Sequence, residues 1–463
     1  MSNAAAHVEL GTKNVGVLLR EYAVPGIIAM TAASLYNMVD SIYIGHIKDI
    51  GAYAISGLAV TFPLMNLSTA LGTLVGVGAS TMISVLLGQK NYTSANRVLA
   101  NEVALNIIIG TIFAVLTLSF IEPILYFFGA SENTLPFAKD YMSIILLGNV
   151  ITHLYFGLNN CIRASGNPKK AMHLTIFTVV FNSILDPILI FGLDMGIKGA
   201  AIATIVSQML ALSFAWKYFM NKKNILHFPK GIFKLDWKIA KSSLEIGMGP
   251  FLMNSASSIV TLFINQQLRK YGGDLSLGAY GIVNRISFLF VMIVMGLNQG
   301  MQPIAGFNYG ARQYKRVKEV YKLTALWATA VVTLGFVISE FLSVPTVSIF
   351  TNDPVLIEKS AHGLRSMNIF FPIVGFQMVA TNFFQCLGMV KKSIILSLSR
   401  QLLLLVPMIY LLPIYYEISG VWYSFPVADI SSAILTLIMI AALFKKLNKL
   451  NDGDDPSILG SKI

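Results

Sequence analysis

Long apolar runs separated by short polar breaks organise this chain from end to end. A run must reach roughly 20 residues to cross about 30 Å of hydrocarbon as a helix. Twelve runs meet that length, over residues 17–44, 54–86, 97–128, 137–162, 170–192 and 196–219, and then 240–268, 278–306, 320–350, 358–386, 393–415 and 418–444. The breaks carry Gly, Pro, Asn or charge, as at Gly88-Gln89-Lys90-Asn91, Gly166-Asn167-Pro168 and Asn308-Tyr309-Gly310. The pattern predicts an all-α polytopic membrane protein with twelve transmembrane helices, numbered here as spans 1 to 12. The longest break, from Asn221 to about Lys238, divides the spans six and six.

Composition excludes the alternatives. Of 463 residues, 55% are apolar and 12% charged, where a soluble domain carries about 25% charged residues. A water-soluble enzyme cannot hide that much apolar surface. The net charge of +12 is explained by topology. If both termini are cytoplasmic, 24 Lys and Arg fall in cytoplasmic segments and 6 in the opposite loops, as the positive-inside rule requires. No nucleic-acid partner is expected. The short polar stretch from Met1 to about Leu10 is not expected to be a cleaved leader. Cys161 and Cys386 lie in or beside apolar runs, so no disulfide framework is expected.

The two halves repeat each other. Gly51-Ala52-Tyr53-Ala54-Ile55 matches Gly278-Ala279-Tyr280-Gly281-Ile282. At a constant offset of 222, Gly78, Gly88 and Tyr92 match Gly300, Gly310 and Tyr314. Asn160, Gly166, Lys169 and Lys170 match Asn382, Gly388, Lys391 and Lys392 at the same offset, while Pro25 and Asp40 match Pro250 and Asn265 at 225. With six spans each, the halves enter the membrane in the same sense and form parallel, pseudo-symmetric six-helix lobes. The expected division is an N-terminal lobe over 1–220, a cytoplasmic linker over 221–238, a C-terminal lobe over 239–450 and a tail over 451–463. Duplication of this kind favours a secondary transporter.

Ionisable residues at membrane depth are costly and point to function. At a helical rise of 1.5 Å per residue, Asp40 lies about 7 Å, Asp186 about 9 Å, Thr204 about 12 Å and Asn182 about 15 Å from the outer ends of spans 1, 5 and 6. Asn182 and Asp186 share a face of span 5. Two carboxylates, an amide and a hydroxyl suit a hard cation such as Na⁺. The same carboxylates could instead share protons. In the second half Asn265 replaces Asp40, and Leu403 or Leu404 falls where Asp186 would be. Arg400 and Asp429 sit at similar depth on adjacent spans, as a structural ion pair or a substrate contact. Arg285, Glu340, Glu102 and Arg365 read as end-of-span groups, snorkelling or paired. Pro25 interrupts helix hydrogen bonding within span 1, and Pro187 does so just after Asp186. No GxxxxGK[ST] phosphate loop, GxSxG turn or His/Cys metal spacing occurs. Neither catalysis nor a cofactor is expected.

These residues carry a resemblance. The stretch Pro25 through Asp40 to Gly45, the Arg163-Ala164-Ser165-Gly166-Asn167-Pro168 turn and Asn182-Ser183-Ile184-Leu185-Asp186-Pro187 are part of it. Gly199-Ala200-Ala201-Ile202-Ala203-Thr204 and Gln302-Pro303-Ile304-Ala305-Gly306-Phe307-Asn308-Tyr309-Gly310-Ala311 complete it. Over residues 15 to 446 the chain resembles the multidrug and toxic compound extrusion (MATE) transporters, most of all the bacterial MepA-type branch. The resemblance implies two six-helix lobes, a central cavity, and export of amphipathic or cationic organic compounds by alternating access in antiport with Na⁺ or H⁺. It places the cation at Asp40, Asn182, Asp186 and Thr204, with Tyr36, Asn37, Asn159 and Asn160 lining the substrate cavity. Asn265 and Gln266 in span 7 depart from relatives that couple through an acidic residue there. A monomer in a bacterial cytoplasmic membrane, in contact with lipid, is expected. The alternative is a lipid-linked oligosaccharide flippase of related architecture, which needs several cavity arginines for a pyrophosphate; Arg285, Arg365 and Arg400 are the candidates.

Overall fold

The structure, a computed structural model, describes residues 9–45, 47, 51–350 and 353–455, and every regular element among them is helical. The first six spans are Val15–Gly45, Gly51–Gly88, Tyr92–Ser119, the pair Leu135–Leu147 and Asn149–Ala164, Pro168–Pro187 continued by a π turn at Ile188–Gly192, and Gly196–Met220. Spans 7 and 8 are Trp237–Gly273 and Leu275–Gly310, parted at Gly273, where φ is 68°. Span 9 is Tyr314–Phe341, and span 10 is the pair Pro354–Asn368 and Phe371–Cys386. Span 11 starts at Val390 and passes a π segment at Ser399–Leu405. A break at Glu417, where φ is 50°, separates it from span 12, which ends at Leu447.

The duplication seen in the sequence recurs as shape. Spans 4 and 10 bend by 54° and 53°, and each bend carries the same hydrogen bond to a serine of the second span of its half. Ser68 meets Asn149 at 2.5 Å, and Ser287 meets Asn368 at 3.2 Å, with identical sequence separation. Spans 3 and 9 were expected to run to 128 and 350. They stop at Ser119 and Phe341 and are followed by separate short helices, Ile121–Phe127 and Ser343–Ser348. Pro123 and Pro345, themselves 222 apart, cause this, because a ring nitrogen cannot bond the carbonyl four residues back. The helix starts at Pro168 and Val390 also carry the 222 offset.

The chain forms two compact units, one built on Ile28–Phe251 and the other on Lys13–Ile27 with the chain from Leu252 onward. The start of span 7 thus packs inside the first unit, and the start of span 1 inside the second. Each exchange uses close backbone contact. A Cβ on Gly247 would overlap the Leu74 carbonyl oxygen, and one on Gly26 would lie 2.6 Å from that of Gly296. The polar break after span 6 is packed as well. His227 N–H donates to Asn96 Oδ1 and Asp236 N–H to Asn101 Oδ1, both on span 3, while Phe228 stacks on Trp216 and Phe219.

Candidate functional site

Span 5 is buried at Pro168, Ala171, Asn182 and Asp186. With Thr175 and Thr178, these residues form a stripe at three- and four-residue steps, so the covered face of this apolar helix is its polar one. The stripe meets span 4 first. Asn159 Nδ2 donates to Thr175 Oγ1 at 2.9 Å, and the Thr178 hydroxyl meets Tyr155 OH at 3.1 Å. One turn further it meets span 6. With its amide turned so that the nitrogen faces the carboxylate, as the donors and acceptors around it require, Asn182 donates to Asp186 Oδ2 at 2.7 Å and its oxygen accepts from the Thr204 backbone N–H at 3.0 Å. In that orientation Thr204 Oγ1 lies 3.4 Å from the same oxygen. Asp186 is 0% exposed.

Two local features hold this geometry. After Asp186, Pro187 ends the α-helical hydrogen bonding and the chain widens into the π turn, with Leu193 N–H donating to Ile188 O at 2.9 Å. Span 6 then begins on small residues. A Cβ on Gly199 would come within 2.8 Å of the Leu189 backbone, and Ala200, Ala201 and Ala203 are fully buried. Small side chains bring span 6 close enough to set Thr204 beside Asn182. Gly199→Val is expected to push the two helices apart, to cost about 2 kcal/mol of stability and to lower efflux per folded molecule. Thermal denaturation in detergent and dye efflux, each normalised to folded protein, check both effects.

Asn182, Asp186 and Thr204 are therefore brought together as the sequence predicts. Asp40, Tyr36 and Asn37 belong to the span 1 helix, but their side chains lie outside the described residues. The neighbours Asn159 and Asn160 serve different seams. Asn159 joins the span 5 stripe, whereas Asn160 Oδ1 accepts from Arg163 Nη1 at 3.1 Å. Among the described residues no group of three His, Cys, Asp or Glu is placed to hold a metal ion.

Glu102 corrects the sequence reading. It does not sit at a span end: span 3 begins at Tyr92, and Glu102 is buried, accepting a short hydrogen bond from Asn106 Nδ2. In the second unit Arg400, in the π segment of span 11, donates from Nε to Asp429 Oδ1 of span 12 at 2.6 Å. Gln377 of span 10 donates to the Asp429 backbone oxygen at 2.7 Å. Arg365 Nε is held by Ser343 Oγ at 2.8 Å. Two of the three arginines a pyrophosphate would need thus have local partners. Asp429→Ala leaves Arg400 without its counter-ion and is expected to cost about 3 kcal/mol, read as a lower denaturation midpoint in detergent. Asp429→Asn, which keeps an acceptor for Nε, is expected to cost less.

Known proteins share the sequence pattern and the fold of this chain. A family model described as MatE matches residues 25–188 and 246–411, one match in each half of the chain. The multidrug export protein MepA of Staphylococcus aureus (strain N315) is 27% identical over 93% of this chain and 94% of its own length. A solved MATE multidrug transporter, DinF-BH, determined as a complex, is 33% identical, with a TM-score of 0.86 over 93% of this chain and 96% of that one. An outward-facing multidrug resistance MATE family transporter of the MOP superfamily, 24% identical, shares the fold with a TM-score of 0.88 over 96% of this chain and 98% of its own.

Proposed function

The chain belongs to the MatE family, and from that premise we propose that it is a secondary active multidrug exporter of a bacterial cytoplasmic membrane. It expels amphipathic, cationic organic compounds in exchange for Na⁺ or H⁺. Family membership and the efflux function of relatives such as MepA support the transport role. The observation that carries the coupling is the buried carboxyl of Asp186, held by Asn182 beside Thr204 on the polar face of span 5.

A carboxylate at this depth is costly, and a cation or proton taken up at the layer offsets that cost. Together with Asp40, Asp186 offers up to two negative charges, and the Asn182 and Thr204 oxygens complete a hard-ligand set. An organic cation bound in the same lobe competes for the same charge. Drug and coupling ion then disfavour each other, by the same factor in both directions. Ion entry from outside releases the drug, and drug entry from inside releases the ion. Pro25 in span 1, where a helix hydrogen bond is missing, gives the span carrying Asp40 a place to bend as the ion enters. At the span 7 position that matches Asp40 the chain carries Asn265, followed by Gln266, so the repeat places no second carboxylate there.

Reconstitution tests this reading. Purified protein in liposomes holding a fluorescent cationic dye receives a Na⁺ gradient or a pH gradient separately, for wild type and Asp40→Asn. Dye movement driven by one gradient and lost in the variant is the expected result and names the ion. Movement under neither gradient, or full movement in the variant, contradicts the proposal.

A further inference from the structure

The second polar centre of the first unit lies on another face of span 4, away from the span 5 stripe. Three helices meet there through residues four apart: Ser68, Gly72 and Gly76 on span 2, Glu102, Asn106 and Gly110 on span 3, and Asn149, His153 and Gly157 on span 4. Glycine permits the contact. A Cβ on Gly157 would overlap the Glu102 carboxyl and the Asn106 amide, and one on Gly72 would lie 3.1 Å from the His153 ring. Glu102, Asn106 and His153 are 1%, 0% and 1% exposed.

The hydrogens of this ladder can be assigned in order. Asn149 Nδ2 donates to the Gly110 carbonyl at 3.1 Å, so its oxygen faces Ser68. The Ser68 hydroxyl spends its hydrogen on Asn149 Oδ1 at 2.5 Å. Its contact with His153 Nε2 at 3.2 Å must then be donated by the ring, which leaves His153 Nδ1 as a bare acceptor. Asn106 spends its amide on Glu102 Oε1. Glu102 Oε2, Asn106 Oδ1 and His153 Nδ1 remain, all buried and with no hydrogen-bond partner among the described residues. Three acceptors face inward with no donor between them, a costly arrangement in a low-dielectric interior.

No neighbouring element among the described residues supplies a counter-charge. Span 2 presents Ser68 and the two glycines. Span 7 presents the alkyl groups of Ala240 and Leu244 against Leu105 and Val75. Span 4 adds the buried thiol of Cys161 and Arg163, whose guanidinium goes to Asn160. Glu122 pairs with Lys139 and Asp140 with Lys198, both at exposed sites. A metal ion would need several oxygen ligands and the space between them, and backbone-close packing leaves neither. A proton needs only one acceptor.

We propose that Glu102, with Asn106 and His153, is a second proton-binding site of this lobe, on residues separate from the Asp186 layer. The carboxyl takes a proton from water as pH falls, becomes the donor the ladder lacks, and returns the proton as pH rises. The amide on Oε1 favours the charged form and the unpartnered Oε2 the neutral one, so both forms are accessible.

Infrared difference spectra of the purified full-length protein in lipid nanodiscs, recorded as pH is stepped, test this directly. The expected result is a carboxylic-acid C=O band that disappears as pH rises, absent from Glu102→Gln and retained in Asp186→Asn, with one proton fewer taken up by Glu102→Gln. A band common to wild type and Glu102→Gln, or a Glu102 band unchanged at every pH, overturns the proposal. If Glu102→Gln does not fold, Asn106→Leu serves instead. Loss of the Oε1 donor must move the titration to higher pH, and an unmoved midpoint is equally contradictory. Asp186→Asn keeps the band whether or not it still transports, so the two sites stand or fall separately.

Discussion

Asp186→Asn is expected to abolish gradient-driven dye efflux while leaving the protein folded in the membrane. The substitution is nearly isosteric, and an amide oxygen in place of Oδ2 still accepts from Asn182, so the 2.7 Å contact has a neutral replacement. What disappears is one of the two carboxylates of the layer, and with it a site for the cation or proton. Couplings between two ligands of this kind amount to about 1–3 kcal/mol, or roughly 5- to 150-fold in affinity, and all of it is lost when one ligand no longer binds. Drug binding should weaken but persist, since Asp40 still offers a charge to an organic cation. Efflux in liposomes together with dye binding in detergent separates the two, and loss of transport with retained binding is the expected pair. Thr204→Val, which removes one neutral oxygen and keeps the backbone N–H to Asn182, is expected to weaken coupling without ending it.

Gly247→Val should prevent folded protein from accumulating. The Cβ alone would overlap the Leu74 carbonyl oxygen, and a Cβ on Gly78 would overlap the Ser243 carbonyl across the same seam. Backbone cannot turn aside as a side-chain end can, so the start of span 7 must leave span 2. Overpacking a core commonly costs about 1–3 kcal/mol, and here the strain falls on backbone at a seam that is already close-packed from both sides. Gly281→Ala, where nothing lies within 4 Å of the new Cβ, is the matched tolerant substitution. Fluorescence-detected size exclusion of both variants checks the contrast: loss of the monodisperse peak for Gly247→Val and a wild-type peak for Gly281→Ala.

The parts of this molecule that sequence reveals are those encoded by period and repetition. Apolar run length gave the spans, the fixed offset gave the duplication, and the four-residue step from Asn182 to Asp186 gave one face of span 5. The bend in span 4 is not legible, because Gly148-Asn149 is a short polar break with no proline and apolar residues continue on both sides, which reads as one span. Glu102 was misplaced for a tertiary reason. Starting span 3 at residue 97 puts it near an end, and nothing local announces that Gly157, on the next span, opens the space its carboxyl fills. The exchange of half-spans between units is equally silent, since it rests on carbonyl-to-glycine contacts between distant segments. A glycine at Gly78, Gly157 or Gly247 reads as tolerance until its neighbour is known.

Competition between drug and coupling ion is the most direct test of the Asp186 layer. The equilibrium affinity of a fluorescent cationic dye is measured on purified protein while Na⁺ is varied at fixed pH, and then pH at fixed Na⁺, for wild type and Asp186→Asn. Reciprocal linkage predicts that dye affinity falls as one of the two ions rises in wild type and is independent of that ion in the variant. Dye affinity indifferent to both ions in wild type, or an unchanged ion dependence in Asp186→Asn, would contradict coupling at this layer.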